Sequence, residues 1–279
     1  MSIALTITAP AKLNLFLHIT GRRSDGYHTL QTLFQLLDWG DTLHFSPNDS
    51  GELTLAGPDM GFDPADNLIL RAARALGGEG RGMHIQLDKH IPLGGGLGGG
   101  SSDAASTLLA LNQLWQLAHS NEQLQAIGAT LGADVPVFVA GHSAWAEGVG
   151  ELLTPVDLPA RWYLVVFPET PVNTGEIFSR RELTRDSAPI TIAAFFGGHT
   201  RNDCQPVVAG LYPEIANALK WLGNFSEARI TGTGASVFAS FDTQAEAKAI
   251  QQQAPGRWRT IVARGVNCSP ALEQLDLPI

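Results

Sequence analysis

Residues 92–103 read Pro92-Leu93-Gly94-Gly95-Gly96-Leu97-Gly98-Gly99-Gly100-Ser101-Ser102-Asp103, with six glycines in the seven positions from Gly94 to Gly100. Glycine has no Cβ, so the backbone can take positive φ and approach an oxyanion closely. Successive N–H groups then point inward, and a helix N-terminus adds unpaired donors and its dipole. The chain supplies that helix, because Ala104, Ala105, Leu108, Leu111 and Trp115 recur at helical spacing. A flexible linker does not usually abut a helix in this way, and the run is read as a phosphate cradle. Chemistry at phosphate also needs a carboxylate and a cation. Asp134 follows a helix end and precedes Val135-Pro136, which suits either exposure to a site or a solvated turn. Lys12 shares a strand face with Asn14, opposite Leu13 and Leu15, which suits either a site or a solvent-facing lysine.

Familiar phosphate loops fit poorly. Gly94-x-Gly96-x-x-Gly99 formally matches the dinucleotide fingerprint, but any glycine run does, and a helix starts near position 120 where an acidic strand end is needed. A Walker A loop has lysine after its last glycine, where this chain has Ser101. The protein-kinase loop lies in a hairpin, whereas this one opens a helix.

The elements that must position these groups follow from periodicity. Lys12 to Thr20 alternates as a half-buried strand, and Asp41–Phe45, Glu52–Leu55 and Met83–Leu87 read as short strands. Asn67–Leu76 reads as a helix with Asp66 as N-cap and Gly77-Gly78 as its stop. Ser120 with Gln123 forms a capping box for a helix running to Gly132, where residues 133–136 break it. Thr154–Arg161 holds two prolines and no apolar period, which predicts a domain boundary and two domains, 1–158 and 159–279. Beyond it, Trp162–Phe167 is a strand, and Thr174–Leu183 and Pro213–Leu222 are helices. Ala228–Thr231 and Ser236–Phe241 are strands around a Gly-Thr-Gly turn, Thr243 and Glu246 cap a helix, and Arg259–Arg264 is the last strand. The order β, helices, β, β, α, β matches a ferredoxin-like layout.

Composition narrows the function classes. The 279 residues are 44% apolar and 16% charged with a mean hydropathy of +0.03, the profile of a folded chain with a large core. A formal net charge of −9 argues against broad nucleic-acid or anionic-membrane binding. No stretch reaches the ~18 apolar residues of a membrane span. Cys204 and Cys268 are too few for a disulfide framework or a thiolate zinc site, and the N-terminal Met1-Ser2-Ile3-Ala4 lacks a signal-peptide pattern. Free thiols in a cytoplasmic protein are expected. The histidines show neither H-x-x-x-H nor H-E-x-x-H spacing, so no protein-built metal site is expected.

Three segments in order carry a family resemblance. The glycine segment through Asp103-Ala104-Ala105 resembles the ATP-binding motif of the small-molecule kinases of the GHMP superfamily (galactose, homoserine, mevalonate and phosphomevalonate). Pro10-Ala11-Lys12-Leu13-Asn14-Leu15 resembles their N-terminal motif, and Ile230-Thr231-Gly232-Thr233-Gly234-Ala235-Ser236-Val237-Phe238 their C-terminal glycine motif. Within that superfamily, Arg22–Phe34, Gly132–Phe138 and Gly265–Pro270 resemble the family of 4-diphosphocytidyl-2-C-methyl-D-erythritol kinases, and the likeness covers about Ala9 to Pro270. The resemblance implies an α+β fold with an N-terminal S5-like α/β domain and a C-terminal ferredoxin-like α+β domain. It implies transfer of the γ-phosphoryl of ATP, with Mg²⁺, to the 2-hydroxyl of a methylerythritol carrying a cytidine diphosphate, in the non-mevalonate route to isoprenoids.

The resemblance also assigns roles. Lys12 and Asp134 fall on the catalytic pair, with Asp134 accepting the alcohol proton. Tyr27 and Phe178 would sandwich the cytosine, with His28 on the base edge and Asn14 and Thr174 on the rest of the substrate. Pro92, Gly94, Gly95, Gly96, Leu97, Gly98, Gly99, Gly100, Ser101 and Ser102 would hold ATP. Lys89 either reaches the nucleotide or lies on the surface, Ser102 either touches phosphate or only caps the helix, and Phe34 lines the pocket or the core. Two other readings stand beside this one: a kinase of mevalonate or homoserine type, and a nucleotide-binding regulator without catalysis. Tyr27 and His28 argue against the former, and retention of both Lys12 and Asp134 against the latter. The oligomeric state is left open.

Overall fold

A computed structural model describes residues 4–24, 26–198 and 200–277; Met1 to Ile3, and Asp25 of the Arg22–Phe34 segment, lie outside the described residues. The two longest strands come first. β1 (Leu5–Arg22) and β2 (His28–Pro47) pair antiparallel from Leu5 opposite Phe45 to Arg22 opposite His28. Register shifts between Pro10 and Lys12, Asn14 and Leu17, and Ile19 and Gly21 re-aim the side chains of β1. The alternating segment from Lys12 is thus the middle of a longer strand that is covered on both faces, with Lys12 and Asn14 each only 3% exposed.

β2 also pairs with β4 (Met83–Asp88), β5 (Ala144–Glu147) and β10 (Arg259–Val266). β3 (Leu53–Ala56) runs parallel to β4, and β6 (Leu152–Pro155) pairs with β5. β10 carries the ladder onward: Gly265 and Val266 face Leu37 and Leu36 of β2, while Arg259–Arg264 pairs with β7 (Trp162–Phe167). β9 (Val237–Phe241) and β8 (Arg229–Ile230) complete the order β3-β4-β2-β10-β7-β9-β8.

Against the first strands pack α1 (Leu68–Ala75), α2 (Gly99–Leu114), α3 (Asn121–Leu131), α4 (Val135–Ala140) and α10 (Pro270–Gln274), sharing a core around Ile7, Phe45, Leu108 and Leu272. A second core around Leu164, Ile215 and Val237 lies beneath α7 (Gln205–Leu211), α8 (Pro213–Leu222) and α9 (Gln244–Gln251). A third cluster, with Ala11, Leu13, Leu97, Val165 and Phe238, joins β1, the glycine loop, β7 and β9. Two shorter helices, α5 (Thr174–Ser179) and α6 (Ile192–Phe196), complete the set.

Local chemistry explains several boundaries. The capping box is formed: Ser120 Oγ accepts from Gln123 N–H, and Gln123 accepts from Ser120 N–H. Asn67, not Asp66, caps α1, because Asp66 ends a preceding 3₁₀ turn and only Asn67 Oδ1 reaches Ile69 N–H. Residues 133–136 end α3 as expected but also begin α4, since proline is tolerated in a first turn. The predicted helix 174–183 stops at Ser179, where Arg180 turns extended.

Candidate active site

Lys12 projects from the bulged part of β1 into a cleft of about 730 Å³. Its Nζ donates to Asn14 Oδ1 at 2.7 Å and to the Gly96 carbonyl at 3.1 Å, and lies 3.2 Å from Asp134 Oδ2. The ring of Phe34 covers the ammonium from one side, with its centroid 5.2 Å away. Phe34 is 2% exposed and belongs to the main core while also facing the cleft. Asn14 is itself fixed: its Nδ2 donates to Thr32 Oγ1 at 2.9 Å, and its backbone N–H to Thr231 Oγ1 at 3.0 Å. Asp134 occupies the N-cap position of α4 yet makes no side-chain cap bond. Its carboxylate is spent on Lys12 instead, and its side chain remains 34% exposed at the cleft.

The glycine loop is held from the opposite side. Gly94, Gly96 and Gly98 take φ of +67°, +75° and +72°, and α2 begins at Gly99. Thr231 Oγ1 donates to the Gly96 carbonyl at 3.0 Å, and Ser236 N–H donates to the Gly95 carbonyl at 3.1 Å. Lys12 N–H donates to the Leu97 carbonyl at 3.0 Å, so the three glycine and lysine motifs meet at one point. The first-turn N–H groups of α2 have no intrahelical partner, which suits that end of the helix to an anion. Ser101 lines both the cleft and a second cavity of about 240 Å³ flanked by Lys89, Pro92 and the loop itself. Gly96, Gly98 and Ser101 are shared by both cavities.

Two alternatives close here. Ser102 is not the N-cap: Gly98 holds that position, and Ser102 lies inside the first turn, fully buried, with an unpartnered Oγ. Lys89 is not a surface lysine, since its Nζ binds Asp41 and, at 2.8 Å, Asp103. Asp41 also accepts the N–H groups of His90 and Ile91 at 2.5 and 2.8 Å, tying β2 to the segment entering the loop. Burial, with Asp41 nearby, pushes the Asp103 carboxyl up against the pull of Lys89. Burial alone would lower the Lys89 ammonium, but the two carboxylates outweigh it and hold it above its ordinary value.

At the far end of the cleft, His28 and Phe178 are stacked with centroids 5.0 Å apart and planes 21° from parallel. Tyr27 stands 66% exposed at the rim. His28 lies against the ring of Phe178, and both line the cleft together with Tyr27. Arg185 holds the histidine there, donating from Nε to His28 Nε2 at 3.1 Å. Burial, then the charges of Arg185 and Arg22, lower the pKa of the His28 ring. Thr174, at the start of α5, hydrogen-bonds through its hydroxyl to that of Thr233 at 2.9 Å. Periodicity gave no role to Arg185, which follows a helix end in an irregular stretch, nor to Thr231, whose place in the third motif was its only signal.

Known proteins resemble the chain over its length. Residues 67–142 match the family described as GHMP kinases N terminal domain, and residues 183–260 match GHMP kinases C terminal. A 4-diphosphocytidyl-2-C-methyl-D-erythritol kinase of Pseudomonas aeruginosa is 54% identical over 279 residues, covering 99% of each chain. Its counterpart in Hahella chejuensis is 52% identical, covering 97% of this chain and 96% of its own. A crystal structure of 4-(cytidine 5'-diphospho)-2C-methyl-D-erythritol kinase superposes with a TM-score of 0.81 at 33% identity, over 94% of this chain and 100% of that one. Homoserine kinase from Cytophaga hutchinsonii shares the fold alone, with a TM-score of 0.69 at 19% identity and 96% coverage of both chains. A bulged strand lysine, a glycine loop opening a helix and a glycine turn clamping that loop are thus arranged on the α+β fold of the GHMP kinases, and the chain belongs to their 4-diphosphocytidyl-2-C-methyl-D-erythritol kinase family.

Proposed function

We propose that the protein transfers the γ-phosphoryl group of ATP to the 2-hydroxyl of 4-diphosphocytidyl-2-C-methyl-D-erythritol, giving the 2-phosphate and ADP in the non-mevalonate route to isoprenoids. The observation that carries this reading is the Lys12–Asp134 pair, set where the cleft shares Gly96 and Ser101 with the cavity along the glycine loop. ATP would lie along the loop from Pro92 to Ser102, with its phosphates at the start of α2, and the acceptor alcohol would enter from the cleft. The acceptor is a tertiary alcohol, a weak acid, so proton removal must accompany attack. Asp134 accepts that proton as the oxygen–phosphorus bond forms and the bond to ADP breaks. Lys12, held by Asn14 and the Gly96 carbonyl, orients the Asp134 carboxylate and stabilises charge on the transferring group. His28, Phe178 and Tyr27 take the cytosine, with Asn14 and Thr174 along the rest of the substrate.

Mg²⁺ fits as a companion of the nucleotide. Among the described residues no three His, Cys, Asp or Glu side chains cluster as ligands. The unpartnered Ser102 Oγ and the Ser101 hydroxyl at the start of α2 suit an ion carried mainly by phosphate oxygens. When bound, the ion neutralises phosphate charge. We place the boundary between two lobes near residue 158 and infer a cytoplasmic setting, where ATP is available and Cys204 and Cys268 stay as the free thiols they are here. The reading is tested by coupled ADP release with the cytidine substrate against a substrate-free control, with mevalonate and homoserine alongside. Release with the cytidine substrate alone is expected; release no faster than the control would sink the assignment.

A further inference from the structure

Arg185 takes no part in the phosphoryl-transfer steps, yet four hydrogen bonds tie it to the segment around the end of α5 and to His28 of the cleft. Its Nη2 donates to the carbonyls of Phe178 and Arg180 at 2.9 and 2.6 Å, and its Nη1 to that of Leu183 at 3.0 Å. These bonds brace the segment leaving α5. Its Nε donor points at His28 Nε2 at 3.1 Å. A guanidinium has five N–H donors, no acceptor, and does not lose its proton in proteins. His28 Nε2 must therefore be the acceptor nitrogen, and the single proton of the neutral ring sits on Nδ1. Which nitrogen of a histidine is protonated is set by the bond the other one makes. Nδ1 has no partner among the described residues, and His28 lines the cleft. The charged groups that act on the ring are Arg185 and Arg22, and both oppose a second proton.

We propose that Arg185 is a positioning residue that sets base specificity: by donating to Nε2 it fixes His28, against Phe178, as an Nδ1–H donor that selects a pyrimidine whose N3 accepts a hydrogen bond. Cytosine N3 carries a lone pair, whereas uracil N3 carries a proton and would meet the Nδ1–H donor head on. Without Arg185 the ring is free to move its proton to Nε2 and present an acceptor instead. The proposal rests on the reading of this cleft as a cytidine site, and its two measurements separate it from that reading.

The first is ¹⁵N NMR of the histidine ring in the wild-type protein near neutral pH, which needs no turnover. A protonated Nδ1 and an unprotonated Nε2 at His28 are expected; the reverse tautomer overturns the proposal whatever any variant does. The second compares kcat and KM for the cytidine substrate and its uridine counterpart in wild type and Arg185→Met. With the worth of one net hydrogen bond lost, the cytidine preference should fall about two- to tenfold, mainly through KM. A folded Arg185→Met protein with an undiminished preference overturns the proposal. A wild-type protein that turns over neither substrate refutes the kinase reading instead, and leaves the tautomer measurement to judge Arg185.

Discussion

Asp134→Asn keeps the shape at the end of the α3–α4 junction but removes the carboxylate proposed as proton acceptor, which lies 3.2 Å from Lys12 Nζ. General-base action contributes ~10²- to 10⁴-fold, so kcat should fall by about that factor. The KM for ATP should hold, because the loop proposed to cradle phosphate is built from Gly94–Gly100 and Thr231 rather than from Asp134. Steady-state kinetics with ATP varied checks both numbers, and undiminished turnover would remove Asp134 from the base role. At this scale the sequence was only half legible. The alternation of β1 placed Lys12 and Asn14 on one face but left that face open to solvent or site. What buries Lys12 is long-range: the Gly96 carbonyl, Asp134 and the Phe34 ring arrive from three separate parts of the chain. The same holds for His28, whose ring is aimed by Arg185, 157 residues away in sequence. No local periodicity encodes such partners.

The glycine loop and the Gly-Thr-Gly turn work as a single clamp, and Gly96 is where they touch. A Cβ at Gly96 would stand 2.1 Å from the Thr231 carbonyl oxygen and 2.9 Å from that of Gly234, at a φ of +75°. Gly96→Ala must therefore part the two segments, and backbone strain of this kind costs ~1–3 kcal/mol. The expected result is a lower melting temperature and a KM for ATP raised about tenfold or more, the equivalent of ~1.4 kcal/mol. Gly210→Ala is the control: it lies in α7, outside both cavities, where its Cβ would meet nothing within 4 Å. Thermal melts with ATP titration compare the two, and a Gly96→Ala protein that behaves like the control would refute the clamp. Elements governed by local rules were the legible ones. The capping box of α3 and the limits of α8 follow from side chains within a turn of each boundary. α4 escaped notice because Pro136 reads as a breaker unless its place in a first turn is known. α5 ran short because the three carbonyl bonds of Arg185 hold the following segment in a non-helical path.

At the scale of the whole molecule, β1 is gripped by residues from far along the chain. Leu17 N–H donates to the Arg201 carbonyl at 3.0 Å, Asp203 N–H to the Leu17 carbonyl at 2.8 Å, and Ile19 N–H to Asp203 Oδ2 at 2.7 Å. The strand order of the second half was readable from its β, helices, β, β, α, β succession. The return of α10 to β1, tied by Thr8 N–H to Gln274 Oε1 at 2.6 Å, was not, since nothing local marks it. His18 sits inside the gripped stretch, 4% exposed, edge-on to Phe16 with centroids 5.0 Å apart, and neither ring nitrogen has a hydrogen-bond partner among the described residues. Burial lowers its pKa, Arg201 and Arg229 add to the effect, and Asp203 opposes it. In the unfolded chain the ring takes a proton at its ordinary pKa of about 6.5, while the folded protein resists protonation to lower pH. The unfolded state thus binds more protons in that window, and stability rises with pH through it. The contribution is complete above about pH 6.5 and is lost as pH falls from there towards the folded-state pKa, with a slope of at most ~1.4 kcal/mol per pH unit. Replacing the ring with one that cannot titrate, His18→Phe, removes this dependence whatever constant change its bulk adds. Unfolding free energies from denaturant titrations between about pH 5.5 and 7 should therefore show wild type losing stability relative to His18→Phe as the solution is acidified. A difference that stays flat with pH would mean that the ring is hydrated or partnered in solution, and that β1 is not sealed against the second half at this point.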